Sequence, residues 1–213
     1  MRLYTNQRNS AGERVRIALN LKGLAYDYVS VPAMAPGEYQ KLNPQGLMPA
    51  LETDGRMIAQ SAAILDFLEQ RWPAPPLLPA DPLIRAEARA FSQHIAAEMH
   101  ALTVDRVRRF LAEELGVDED GVARWLRHWM AKGLAALEAT LERRAQDWPF
   151  CFADTPGWAD LHLVPQLRNA RRFGCDVEAY PRLLAVEARC VGLDAFVRAR
   201  PENQPDYAGA SIA

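Results

Sequence analysis

The spacing of apolar residues changes character several times in the first third of the chain, and each change predicts an element. Leu3 and Tyr4 form a short apolar start. Val15, Ala18 and Leu19 then recur at i, i+3 and i+4, which predicts a helix stopped by Gly23 after Lys22. Ser10 followed by Glu13 is a capping-box pattern and sets the expected helix start, with Ser10 as the cap. Tyr26 to Val31 is rich in aromatic and β-branched residues and reads as a second strand. Glu38 to Leu42 allows a short helix, ended by Asn43-Pro44-Gln45-Gly46. Leu47 to Glu52 and Arg56 to Ile58 flank Thr53-Asp54-Gly55, a hairpin signal. Ser61 is the expected cap of a helix from Ala62 to about Arg71, with Ile64, Leu65 and Leu68 on its apolar side.

The order βαβ, ββ, α predicts a small sheet with helices on its faces. Pro49 sits at a strand start, where it removes a ladder donor, and a cis Met48–Pro49 bond explains the placement. Trp72 to Pro79 carries four prolines in eight residues and is the expected linker. Asp81 then caps a helix with Pro82 in its first position. Only helical patterns follow: Pro82 to about Leu115, Gly121 to Ala145, Ala159 to Phe173, and a segment after Pro181, with an extended tail from Arg200 to Asp206. The expectation is an α/β domain over residues 1–80 and an all-α domain over residues 81–213.

Charge and composition narrow the chemistry. The formal net charge of −2 argues against general nucleic-acid binding. No apolar run reaches the roughly 18 residues of a membrane span and the start has no targeting core, so a cytoplasmic protein is expected. Cys151, Cys175 and Cys190 show no C-x-x-C pair and read as buried small residues. His94, His100, His128 and His162 lack metal-ligand spacing, so no metal site is expected. The predicted start of the first helix, with its unpaired N–H groups and Arg8, Arg14 and Arg16 nearby, suits an anion or a thiolate.

An α/β half with X-Pro before its third strand and Gln60-Ser61 opening its last helix, followed by an all-helical half, resembles the glutathione transferases. Arg14-Val15-Arg16-Ile17-Ala18-Leu19, Leu163-Val164-Pro165-Gln166, Ala170-Arg171-Arg172-Phe173 and the late Gln204-Pro205-Asp206 are similar to the zeta class, which includes maleylacetoacetate and maleylpyruvate isomerases. The similarity covers nearly the whole chain. It implies a thioredoxin-like first domain that binds glutathione and a helical domain that binds the second substrate. Ser61 and Gln60 would take the γ-glutamyl carboxylate, the Met48 backbone beside Pro49 would pair with the cysteinyl part, and His100 would lie against glutathione.

The resemblance also implies an activity. Glutathione-dependent cis–trans isomerisation of a maleyl keto acid requires cations for a dicarboxylate, and Arg8, Arg172 and Arg106 are the candidates. Arg108 and Arg109 share the helix of Arg106, and alignment favours Arg106. In family members a serine activates the thiol. Here that position falls on Asn9 and the next on Ser10, so Arg8, Asn9 and Ser10 form the catalytic set with either of the last two as activator. Gly157 stands where the family has a Ser or Thr cap ahead of Asp160. A general transferase acting on other electrophiles, and a glutathione-binding protein without catalysis, are the alternatives. The family association implies a homodimer.

Overall fold

The computed structural model describes residues 1–207 and groups them into two compact units, Met1–Leu77 with residues 191–207, and Leu78–Cys190. The expected division near residue 80 therefore needs one correction: the C-terminal segment belongs with the first unit.

In the first unit, β1 (Arg2–Thr5), β2 (Asp27–Ser30), β3 (Ala50–Thr53) and β4 (Arg56–Ala59) form a sheet in the order β2-β1-β3-β4. β1 and β2 are parallel, and the other two pairings are antiparallel. Leu3 lies opposite Leu51 and Tyr4 opposite Ala50, so the two-residue period sends these pairs to opposite faces. On the Tyr4 face, α2 (Glu38–Leu42) brings Tyr39 to a ring distance of 6.0 Å from Tyr4. Val29, Val31, Met34, Met48 and Met57 surround this cluster. The β3–β4 turn has positive φ at Asp54 (50°) and Gly55 (72°), the backbone a tight two-residue hairpin needs.

α1 (Ser10–Leu21) packs against α3 (Ser61–Arg71) and against α10 (Asp194–Ala199). After α10 the tail is not extended, as its prolines suggest. Pro201–Asn203 form a 3-10 turn, and Gln204 Nε2 donates to the carbonyls of Arg198 and Arg200, each at 2.8 Å. Asp206 accepts from Tyr28 Oη at 2.7 Å and from Ser30 Oγ at 2.9 Å. Long-range partners thus fix the segment. The proline-rich linker is held by Lys22, whose buried ammonium donates to Trp72 O at 2.6 Å and Pro75 O at 2.9 Å and pairs with Glu69 at 2.8 Å.

The second unit is all helical. α4 (Pro82–Gln93) starts as expected, with Asp81 accepting from Leu83 N at 2.8 Å and Ile84 N at 3.0 Å. It does not continue to Leu115. A π-helical stretch, His94–His100, leads into α5 (Ala101–Thr103), and extended backbone at Val104 (ψ 159°) separates α6 (Asp105–Glu113). α7 (Glu119–Glu142) begins earlier than the pattern predicts, because Asp118 accepts from Gly121 N and Glu119 and Asp120 suit the first turn. It buries Leu126, Met130, Leu134, Leu137 and Leu141.

α8 (Trp158–Arg172) is the central helix, and α9 (Pro181–Cys190) packs beside it. Gly157 caps α8 without a side chain, and Asp160 supplies the bonds instead, accepting from Gly157 N at 2.8 Å and Cys151 N at 2.9 Å. Burial pushes the Asp160 carboxyl above the ordinary aspartate range, against the opposing effect of those N–H donors. Asp160→Ala strips both donors of their acceptor, and chemical denaturation should show a loss of about 2–3 kcal/mol. Asp160→Asn, which keeps an acceptor, should lose less. Cys151 and Cys190 are buried as expected, whereas Cys175 is half-buried.

Candidate active site

The turn before α1 and the turn before α3 each leave helix N–H groups to be satisfied. Both sequence-based cap assignments are one residue late. The cap of α1 is Asn9, whose Oδ1 accepts from Gly12 N, while its Nδ2 donates to Met48 O at 3.4 Å. Ser10 is the first helical residue and is buried, so the cap position expected of it belongs to Asn9. Gly12 is required here because a Cβ would collide with Thr5 Oγ1 and Asn9 Oδ1. The spacing of Gly12 after Asn9 was the available signal. Arg8 lies exposed in the turn.

At α3 the cap is Gln60, with φ 72° and ψ 119°, and its side chain bonds no helix N–H. A non-glycine residue held at positive φ marks a site over-determined by its surroundings. Gln60 Nε2 donates instead to Gln45 Oε1 at 2.6 Å, bringing in a residue the sequence did not single out. Ser61 is the first helical residue rather than the cap, and is buried. The opening turn of α3 therefore has no side-chain cap, an arrangement suited to an anion. Met48–Pro49 is cis, as expected. A second cis bond, Ala74–Pro75, lies in the linker.

Arg14 and Arg16, grouped by sequence as cations near the turn, have different surroundings. Arg16 is enclosed by acceptors: Ala199 O at 3.1 Å from Nε and 2.9 Å from Nη2, Asn6 O and Gln7 O at 3.2 Å, and Thr5 Oγ1 at 3.5 Å. It is a structural cation. Arg14 is 1% exposed, and Nη1 approaches Ser61 Oγ at 3.5 Å. Burial pushes its guanidinium down to about 10, partly opposed by Glu13.

In the second unit, His100 ends the π-helical stretch and is half-buried. Arg108 and Arg172 lie over Phe173, with guanidinium carbons 5.6 and 5.9 Å from its ring centroid. Asp105 engages Arg108 at 3.1 Å and Arg109 at 3.0 Å. Arg106 is exposed and has no ion pair among the described residues. Of the three candidate arginines on α6, it is the one whose guanidinium is uncommitted.

Residues 10–71 match the family described as glutathione S-transferase, N-terminal domain. Over 98% of its length the chain is 41% identical to the whole of a maleylpyruvate isomerase from Ralstonia sp.. It is 42% identical, over 99% of its length, to the whole of a maleylacetoacetate isomerase from Pseudomonas aeruginosa. The holo structure of a maleylpyruvate isomerase, described as a bacterial glutathione S-transferase of zeta class, superposes with a TM-score of 0.92 at 41% identity, covering 98% of this chain and all of that one. A maleylacetoacetate isomerase from Methylobacterium extorquens with bound malonate and glutathione gives 0.90 at 41% identity, covering 96% of this chain and 98% of that one.

Proposed function

Since the chain belongs to the zeta-class glutathione transferases, we propose that it is a glutathione-dependent cis–trans isomerase of a maleyl keto diacid, such as maleylpyruvate or maleylacetoacetate. The observation that carries the reading is the start of α3, where buried Ser61, uncapped N–H groups and the Arg14 cation meet. That donor set fits the γ-glutamyl carboxylate of glutathione. Gln60 lies beside it, and the Met48 backbone next to Pro49 offers strand-like pairing to the peptide.

When bound, glutathione supplies a thiolate that adds to a conjugated cis double bond, permits rotation about the resulting single bond, and leaves. The chain's own contribution begins with the start of α1, whose dipole and Ser10 hydroxyl favour the anionic sulfur. Asn9 is already engaged as the cap, which supports Ser10 as the activator. For the carboxylates of a diacid the candidates are Arg8, in the turn before α1, and Arg106 and Arg172 of the second unit.

Incubating the protein with glutathione and maleylpyruvate or maleylacetoacetate, beside an aromatic halide, tests the reading directly. Glutathione-dependent formation of the fumaryl isomer is expected. Turnover of the halide alone would make the protein a general transferase. Arg172→Ala and Arg106→Ala should each raise KM for the diacid about ten- to thirty-fold with KM for glutathione nearly unchanged. Arg109→Ala should stay within about two-fold, and a larger effect at Arg108 than at Arg106 would reassign the clamp. We also propose a cytoplasmic homodimer. Sedimentation giving twice the 23.8 kDa chain mass is the expected result.

A further inference from the structure

Arg14 and Arg16 stand two residues apart on α1, and both side chains are fully enclosed. Arg16 is saturated by backbone carbonyls and a hydroxyl. Among the described residues one nitrogen of the Arg14 guanidinium is hydrogen-bonded, Nη1 to Ser61 Oγ at 3.5 Å, while the buried Nε and Nη2 have no hydrogen-bond partner. A buried guanidinium with unused donors is costly unless something negative completes its surroundings. Its hydrogen-bond partner, Ser61, opens a helix that has no side-chain cap.

We infer that Arg14 is a positioning residue for glutathione, a buried cation that acts through Ser61 on the γ-glutamyl carboxylate. The inference rests on the proposal that glutathione binds at the start of α3. Donation from Nη1 occupies a lone pair of Ser61 Oγ, so the hydroxyl hydrogen is left to point toward a ligand. The positive charge adds attraction across a short, poorly screened path. Glu13, the adjacent acid, supports the charged state of Arg14.

The discriminating probe is 4-aminobutyryl-cysteinylglycine, which is glutathione without its γ-glutamyl carboxylate. Calorimetry on the wild-type protein should show glutathione preferred by at least about a hundred-fold, and a ratio below about ten would overturn the inference. Arg14→Met should weaken glutathione about thirty-fold and the analogue by less than about two-fold. Arg14→Lys keeps the charge and should recover glutathione binding to within about five-fold of wild type. If the Met variant does not fold, the Lys variant carries the comparison, with its smaller loss confined to glutathione. Equal losses for both ligands, or none, would reduce Arg14 to a structural residue. Absence of glutathione binding in the wild-type protein would instead sink the glutathione site itself, and this inference with it.

Discussion

Replacing Ser10 with alanine should lower glutathione-dependent isomerisation about a hundred-fold. Asn9→Ala should instead cost about 1–2 kcal/mol of stability with turnover within about three-fold of wild type. The contrast follows from where the two side chains sit. Asn9 Oδ1 is the cap acceptor for Gly12 N, and its amide nitrogen donates to Met48 O at 3.4 Å. Ser10 is the first residue of the helix, at the positive end of the dipole. A hydroxyl there stabilises a thiolate over a thiol. Its removal should raise the pH at which bound thiol ionises, so the rising limb of the rate profile moves to higher pH and added base restores part of the loss. Full activity in Ser10→Ala combined with an inactive Asn9→Ala would transfer the role to Asn9.

Elements whose signal is local were legible in the sequence. Asp54-Gly55 marked a turn that uses positive φ at both residues, and Asp81-Pro82 marked a helix start that the side chain caps. The unusual place of Pro49 at a strand start pointed to the cis bond. The one-residue errors at Ser10 and Ser61 share a cause. A polar residue before an apolar run signals that a helix begins, but cap and first helical residue differ in backbone angles that spacing does not encode. The split of the long pattern after Pro82 was hidden because a π-helical stretch and one extended residue, Val104, barely disturb an averaged helical period.

The site was legible in part for the same reason. Gln60, Ser61, Met48 and Pro49 are close in sequence to the turns that present them, so their placement followed from the elements. Ser61 lies 47 residues from Arg14, Ala199 lies 183 from Arg16 and Tyr28 lies 178 from Asp206, and no periodicity reports contacts of that range. The commitment of Asp105 to both Arg108 and Arg109, which leaves Arg106 alone, also depends on rotamers.

Arg16→Met should destabilise the protein by about 4 kcal/mol, the largest structural effect we expect of a single substitution. Methionine replaces the volume of the stem but none of its donors, and Ala199 O, Asn6 O, Gln7 O and Thr5 Oγ1 all lose their bond to the guanidinium. Relief from burying a charge offsets part of this, since burial already pushes the Arg16 guanidinium below its ordinary value. For a chain of 213 residues the fall in melting temperature should be about 10 °C. Arg16→Lys should recover little, because a single ammonium does not span the fork of acceptors. The loss should also be directional. Arg16 binds the carbonyl of Ala199 at the end of α10, so trypsin should cut after Arg198 well before the rest of the chain opens, whereas the Arg200–Pro201 bond resists the enzyme in any state. The turn carrying Asn6 and Gln7 is bound to the same guanidinium and leads directly into Asn9 and Ser10. Slower isomerisation should therefore accompany the loosened tail. A variant with the full stability loss but normal tryptic resistance at Arg198 would show that Arg16 stabilises the turn and not the return of the C-terminal helix.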